Sequence, residues 1–174
     1  LPLAFRRAGF AVDASVNNLF MLSSHGLGVD FGFQRMGDYR HLVRDTPEVT
    51  ASAIRFVEAN RRRRWFQFVN LNAPHMPYTA PRRFVRRARR VLGDAKADAL
   101  PGPRLRYLAE LAYTDDALGR ILGALEATGQ RDRTVVVLTA DHGEIMDPAH
   151  DRLSAIRDKR SLYHHGITPF DEEV

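Results

Sequence analysis

Residues 134–139 read Thr-Val-Val-Val-Leu-Thr, and this unbroken apolar run is the clearest strand signal in the sequence. A strand without polar alternation is typical of one buried on both faces, as the strands of parallel sheets are. The run therefore predicts a strand that lies inside a parallel sheet with helices packed against it.

Further strand and helix patterns precede this run. Residues 10–16 and 66–71 have strand character, and residues 45–60 and 104–128 place apolar side chains at helical spacing. Alternation of strands and helices predicts an α/β fold. We expect the three strands, including 134–139, to lie in one mostly parallel sheet that is flanked by helices.

Two long segments carry no such pattern. Residues 19–44 are rich in glycine and aromatic residues at first and contain no clear helix, and residues 145–163 are mostly polar. Both segments are interpreted as loops, of the kind that shapes a substrate pocket.

The composition is that of a globular domain. The absence of cysteine rules out a disulfide scaffold and a thiolate metal site within this chain. No window approaches the roughly 20 apolar residues of a membrane helix. The formal net charge of +5 would attract anionic ligands, although a general preference for Arg with interspersed acidic residues explains it equally well.

Residues with metal-binding chemistry follow the run at 134–139 directly. Asp141 and His142 precede Gly143, whose flexibility permits a sharp turn. Ligand sites in open α/β sheets lie beyond the carboxyl ends of strands. A carboxylate oxygen and an imidazole nitrogen are both suitable ligands for a divalent cation. Taken alone, the Asp-His-Gly sequence is equally compatible with a turn and a surface histidine.

Four motifs in order closely resemble the sulfatase family of the alkaline phosphatase superfamily. They are Gly-Val-Asp-Phe-Gly-Phe at 28–33, Ala-Pro-His-Met-Pro-Tyr at 73–78, the segment 107–144 that ends in Ala-Asp-His-Gly-Glu, and His-Gly at 165–166 with Phe-Asp-Glu at 170–172. The resemblance covers nearly the whole chain. It implies a sulfatase-like α/β fold and the hydrolysis of sulfuric esters with the help of a metal ion.

The resemblance implies roles for four residues. Asp141 and His142 match a pair of metal ligands. His75 matches the histidine that binds the transferred group or protonates the leaving oxygen, and His165 matches a residue that contacts the sulfate or phosphate. His164 is an equal candidate on chemistry alone. The implied cofactor is one divalent metal ion, with calcium as the first choice and manganese or zinc as alternatives because of the histidine ligand.

The family's other metal ligands and its nucleophile have no counterpart in this sequence. We therefore expect residues 1–174 to be a partial sulfatase-like catalytic domain, truncated at both ends and inactive alone. The expected partner is a small-molecule or glycan ester of sulfate or phosphate, and nucleic acid is not expected. The sequence leaves the oligomeric state and the compartment open.

Three kinds of alternative remain, and one of them is a catalytically inactive, structural remnant of the family. Within the superfamily, a phosphodiesterase, a phosphonate hydrolase or a phosphoryl transferase would share the metal ligands. In another class, a non-catalytic module would bind an anionic polymer through the arginines of residues 82–90, which otherwise form a solvated helix face.

Overall fold

The computed structural model describes residues 1–18, 21, 28, 30–38 and 45–144. The chain divides into two compact units, Leu1–Thr134 and Val135–Val174. The described elements of the first unit are α1 (Pro2–Arg7), β1 (Ala11–Val16), β2 (Arg35–Asp38), α2 (Thr46–Ala59), β3 (Trp65–Asn70), α3 (Arg82–Leu92), α4 (Asp94–Ala99), α5 (Gly102–Ala127) and a 3₁₀ turn (Arg131–Arg133).

The described strands form one parallel sheet in the order β2-β1-β3. The central strand, β1, pairs with β3 along its full length, from Ala11 opposite Trp65 to Val16 opposite Asn70. All six residues of β1 are buried. The predictions of a parallel α/β sheet and of strands near 10–16 and 66–71 are therefore confirmed.

Helices cover the sheet on two sides, and the alternation of side chains along β3 shows how. Phe66 stacks on Phe5 of α1 with ring centroids 4.6 Å apart. Gln67 points to the opposite face, where its Nε2 donates to the Ala53 carbonyl oxygen of α2 at 3.4 Å. Because neighbouring strand residues face opposite sides of a sheet, α1 and α2 lie on different faces. The expected flanking by helices is confirmed.

β2 lies within the segment that was interpreted as a loop, so that interpretation is wrong for Arg35–Asp38. The four residues Arg-Met-Gly-Asp lack the apolar alternation that marks a strand. Pairing with β1 fixes them instead, together with an ion pair in which Arg35 Nε lies 2.6 Å from Oδ1 of the buried Asp13. An ion pair of this kind offsets part of the cost of burying a carboxylate.

The helix predicted at 104–128 is confirmed as α5, and its C-terminal end is well defined. Gly129 adopts a φ of +68°, and the amide of Gln130 donates to the Leu125 carbonyl oxygen at 2.8 Å. This left-handed glycine is a common helix stop. The Gln130 side chain then accepts from Trp65 Nε1 at 2.9 Å and donates to the Val57 carbonyl oxygen at 3.0 Å. These bonds hold the end of α5 against β3 and α2.

The strand predicted at 134–139 is absent, so the prediction that it shares a sheet with 66–71 is wrong. Residues 134–140 form neither helix nor strand, and Val135 is 91% exposed. An apolar run becomes a strand only when another strand edge pairs with its backbone. The composition of residues 134–139 predicts a preference for β-structure, but it carries no information about which strand would pair with them.

Among the helices that the structure describes, none is both long and apolar enough to span a bilayer.

Candidate functional site

The first part of the candidate site is residues 71–81, here called the histidine loop, which follows β3. Pro74, Pro77 and Pro81 prevent regular structure in it. Its beginning is fixed near the end of β1, because the Asn72 amide donates to Asn17 Oδ1 at 2.9 Å. The loop therefore starts where the carboxyl ends of β1 and β3 meet, which is the usual edge for ligand sites in parallel sheets.

The middle of the histidine loop is anchored by apolar packing. Ala73 is buried in a cluster with Phe84 of α3 and Tyr113 of α5. Tyr78 is buried and meets the ring of Tyr107 edge to face, with centroids 5.6 Å apart. These contacts fix the loop while leaving its tip at the surface.

His75 lies at that surface tip. Its amide donates to the Asn72 carbonyl oxygen at 3.2 Å, and its Nδ1 lies 2.7 Å from the Met76 carbonyl oxygen. Because a carbonyl only accepts, Nδ1 carries a proton in this arrangement. Because Nδ1 is engaged with the carbonyl oxygen, the other ring nitrogen, Nε2, is the atom that can bind an anionic oxygen or, when protonated, donate a proton to it.

Asp141 and His142 lie in the second unit, where they form a local pair of donor atoms. The His142 amide donates to Asp141 Oδ1 at 3.1 Å, and His142 Nε2 lies 3.6 Å from Asp141 Oδ2. Adjacent ligands of one cation, at bond lengths of about 2.0–2.6 Å, lie roughly 3–3.5 Å apart. The pair therefore fits two neighbouring positions around a divalent metal ion.

The remaining ligand positions are not filled by the described residues, among which no group of three or more His, Asp or Glu residues could hold a metal ion. Asp141 and His142 are consecutive in the sequence, and their role as metal ligands stays a prediction. His75 belongs to the first unit. His165 lies outside the described residues, so its role stays a prediction.

Glu110 of α5 is 0% exposed, and it is not among the residues that the sequence motifs indicate. Burial raises the pKa of its carboxyl group to about 7, and the backbone amides of Thr79 and Ala80 offset part of this rise. A signal was available in the sequence. Position 110 lies three residues before Tyr113 and seven before Ala117, so it shares the helix face that both bury.

Comparisons with known proteins identify the family. The family model described as Sulfatase matches residues 1–170. A segment of 47 residues is 40% identical to the "multifunctional alkaline phosphatase superfamily protein PehA" of Trinickia caryophylli, and it covers 27% of this chain and 9% of that protein. A segment of 42 residues is 45% identical to "Arylsulfatase K" of Danio rerio, and it covers 24% of this chain and 8% of that protein.

The two matched segments span less than a tenth of either relative, whereas the family model covers nearly all of the present chain. The parallel sheet with helices on both faces is consistent with that family's fold. The chain therefore belongs to the sulfatase family.

Proposed function

We propose that this chain is part of a metal-dependent hydrolase that cleaves sulfuric esters. The observation that carries the proposal is the family match over residues 1–170, within which Asp141 Oδ2 lies 3.6 Å from His142 Nε2. The printed name of one relative, an arylsulfatase, favours sulfate over phosphate as the group removed.

Each candidate residue has a defined task in this proposal. Asp141 and His142 hold a divalent cation, with calcium expected before manganese or zinc. Such a cation, when bound, offsets negative charge on the non-bridging oxygens of the ester. His75 donates a proton to the leaving oxygen or binds the sulfate group, and His165 contacts the same group.

The nucleophile and the other metal ligands are proposed to come from residues outside this sequence. We call this chain together with those residues the complete protein. With only two ligands for a metal ion and no nucleophile, residues 1–174 alone are proposed to be inactive.

The anion-binding alternative is weakened by contacts of α3. Arg87 pairs with Asp115 at 3.0 Å, and Arg89 pairs with Asp94 and Asp98. These acidic residues of the same chain neutralise part of the basic face. A module that bound a polyanion through this helix would also show affinity that falls steeply with salt.

A substrate panel tests the proposal in the complete protein. Purified protein, depleted of metal and then supplied with calcium, manganese or zinc, is assayed on p-nitrophenyl sulfate, phosphate, phosphodiester and phosphonate. We expect sulfate ester hydrolysis that depends on added metal. Preference for a phosphodiester or a phosphonate would select the corresponding alternative of the superfamily. Absence of hydrolysis with every metal and ester would refute the enzyme assignment.

A further inference from the structure

Glu110 is a fully buried carboxylate that none of the roles above uses. Among the residues that the structure describes, no hydrogen bond of full geometry reaches either of its carboxylate oxygens. Burying a carboxylate is costly unless polar groups compensate for lost water. Its compensation must therefore come from longer contacts or from protonation.

The polar groups that act on Glu110 are the backbone amides of Thr79 and Ala80. These amides favour the charged carboxylate, although neither contact has the geometry of a full hydrogen bond. Both belong to the histidine loop, four and five residues after His75. Packing places Glu110 beneath the same end of the loop. Tyr107, one turn before it in α5, contacts Tyr78 with ring centroids 5.6 Å apart, and Ala80 packs against the cluster that contains Ala109 and Tyr113.

The end of the histidine loop offers few backbone amides, although the Ala80 side chain packs against the apolar cluster of Ala73, Phe84 and Tyr113. The beginning of the loop is held by Asn17 and its middle by the buried Tyr78. Because Pro77 and Pro81 have no N–H, only three amides lie between them, and Glu110 faces two of these. A single carboxylate can therefore fix the loop just before α3 begins.

We propose that Glu110 is a positioning residue whose carboxylate accepts the amide hydrogens of Thr79 and Ala80 and thereby holds the histidine loop, with His75, in its working position. The catalytic consequence rests on the proposed function, whereas the contact itself does not.

Charge state makes the contact dependent on pH. Burial raises the pKa of Glu110 to about 7, so the carboxylate is charged, and its bonds to the amides are strong, only above neutral pH. Titratable groups of the surrounding elements include His75 and Tyr78 of the loop and Tyr107 and Tyr113 of α5. Burial raises the pKa of Tyr113, the charge of Arg83 lowers it, and those of Glu48, Glu110 and Asp116 raise it.

Amide resonances test the contact without any enzyme assay. In the whole 174-residue chain labelled with ¹⁵N, the Thr79 and Ala80 amides are followed from pH 5 to pH 9. We expect both to shift with a shared midpoint near 7, as the pKa of Glu110 requires. The shift should disappear in Glu110→Gln and persist in Glu126→Gln, which alters an exposed glutamate of the same helix.

His75 needs its own control, because its imidazole belongs to the same loop as the two amides. His75→Gln should retain the Thr79 and Ala80 titration. Loss of the titration in His75→Gln, its persistence in Glu110→Gln, or amides that do not titrate in the wild-type chain would each overturn the proposal. The wild-type titration is decisive even if Glu110→Gln does not fold.

Kinetics of the complete protein test the consequence for His75. At pH 8, Glu110→Gln should lower kcat about tenfold with little change in KM, because a displaced catalytic group slows the chemical step. At pH 6 the two proteins should converge, since both side chains are then uncharged. Equal losses at both pH values would indicate a purely structural role and refute positioning by charge. A wild-type protein without ester hydrolysis would instead refute the proposed function, while the amide titration would still decide the contact.

Discussion

Replacing Glu110 with glutamine should change how the stability of the fold depends on pH. The carboxyl group has a pKa of 4.5 when solvated and about 7 in the folded chain, because burial disfavours its charged form. Between these values the folded state binds more protons than the unfolded state. This contribution to stability is therefore complete below pH 4.5 and is lost as the pH rises through 7.

The size of the effect follows from the same two values. A shift from 4.5 to about 7 corresponds to roughly 3 kcal/mol at 1.36 kcal/mol per pH unit. Glutamine has nearly the same shape and no charge at any pH, so it removes this dependence. Relative to the wild type, Glu110→Gln should gain up to about 3 kcal/mol of unfolding free energy between pH 4.5 and pH 8.

Urea denaturation followed by circular dichroism measures this gain. Unfolding free energies of the wild type, Glu110→Gln and Glu126→Gln are compared at several pH values from 4.5 to 8. The difference between the wild type and Glu110→Gln should widen with pH, whereas the difference for the exposed Glu126 should stay constant. Parallel curves for the wild type and Glu110→Gln would refute the claim that Glu110 is buried at such a cost.

Three further outcomes are expected. In the complete protein, Asp141→Asn should lower ester hydrolysis at least a hundredfold (an order-of-magnitude expectation for a lost charged ligand) and weaken calcium binding in calorimetry, while Asp132→Asn, at an exposed position, should do neither. Residues 1–174 alone should show no hydrolysis of p-nitrophenyl sulfate in any metal, and robust turnover would show that the nucleophile lies within this sequence. Gly32→Ala should cost about 1–3 kcal/mol in urea denaturation, because Gly32 has a φ of +92° and an added Cβ would lie 2.6 Å from the Leu3 nitrogen; an unchanged midpoint would contradict the close approach.

The spacing of apolar residues in the sequence is sufficient to predict the central strand and the longest helix. β1 and α5 lie within one or two residues of the positions that periodicity predicted. β2 could not be predicted in this way, because its four residues are held by pairing with β1 and by the Arg35–Asp13 ion pair. Residues 134–139 show the opposite case, in which strand composition exists without a described strand partner.

The residues of the candidate site also differ in how far the sequence alone predicts them. Asp141, His142 and His75 could be proposed from sequence because each lies in a short motif whose order resembles a family. Glu110 carries no motif, and its importance arises from burial beneath a loop that precedes it by about thirty positions. Helical periodicity could place it on the buried face of α5, but not against the amides of Thr79 and Ala80.

Replacing Glu110 is also expected to change stability and activity in opposite directions. Above neutral pH its charge costs folding free energy, and the proposed contact uses the same charge to hold the amides of Thr79 and Ala80. Glu110→Gln should therefore be more stable than the wild type at pH 8 and, in the complete protein, less active. A residue that served only to fill space would change neither stability nor activity on replacement by glutamine, which has nearly the same shape. Opposite signs of the two changes at one pH are thus the signature of a strained group retained for function.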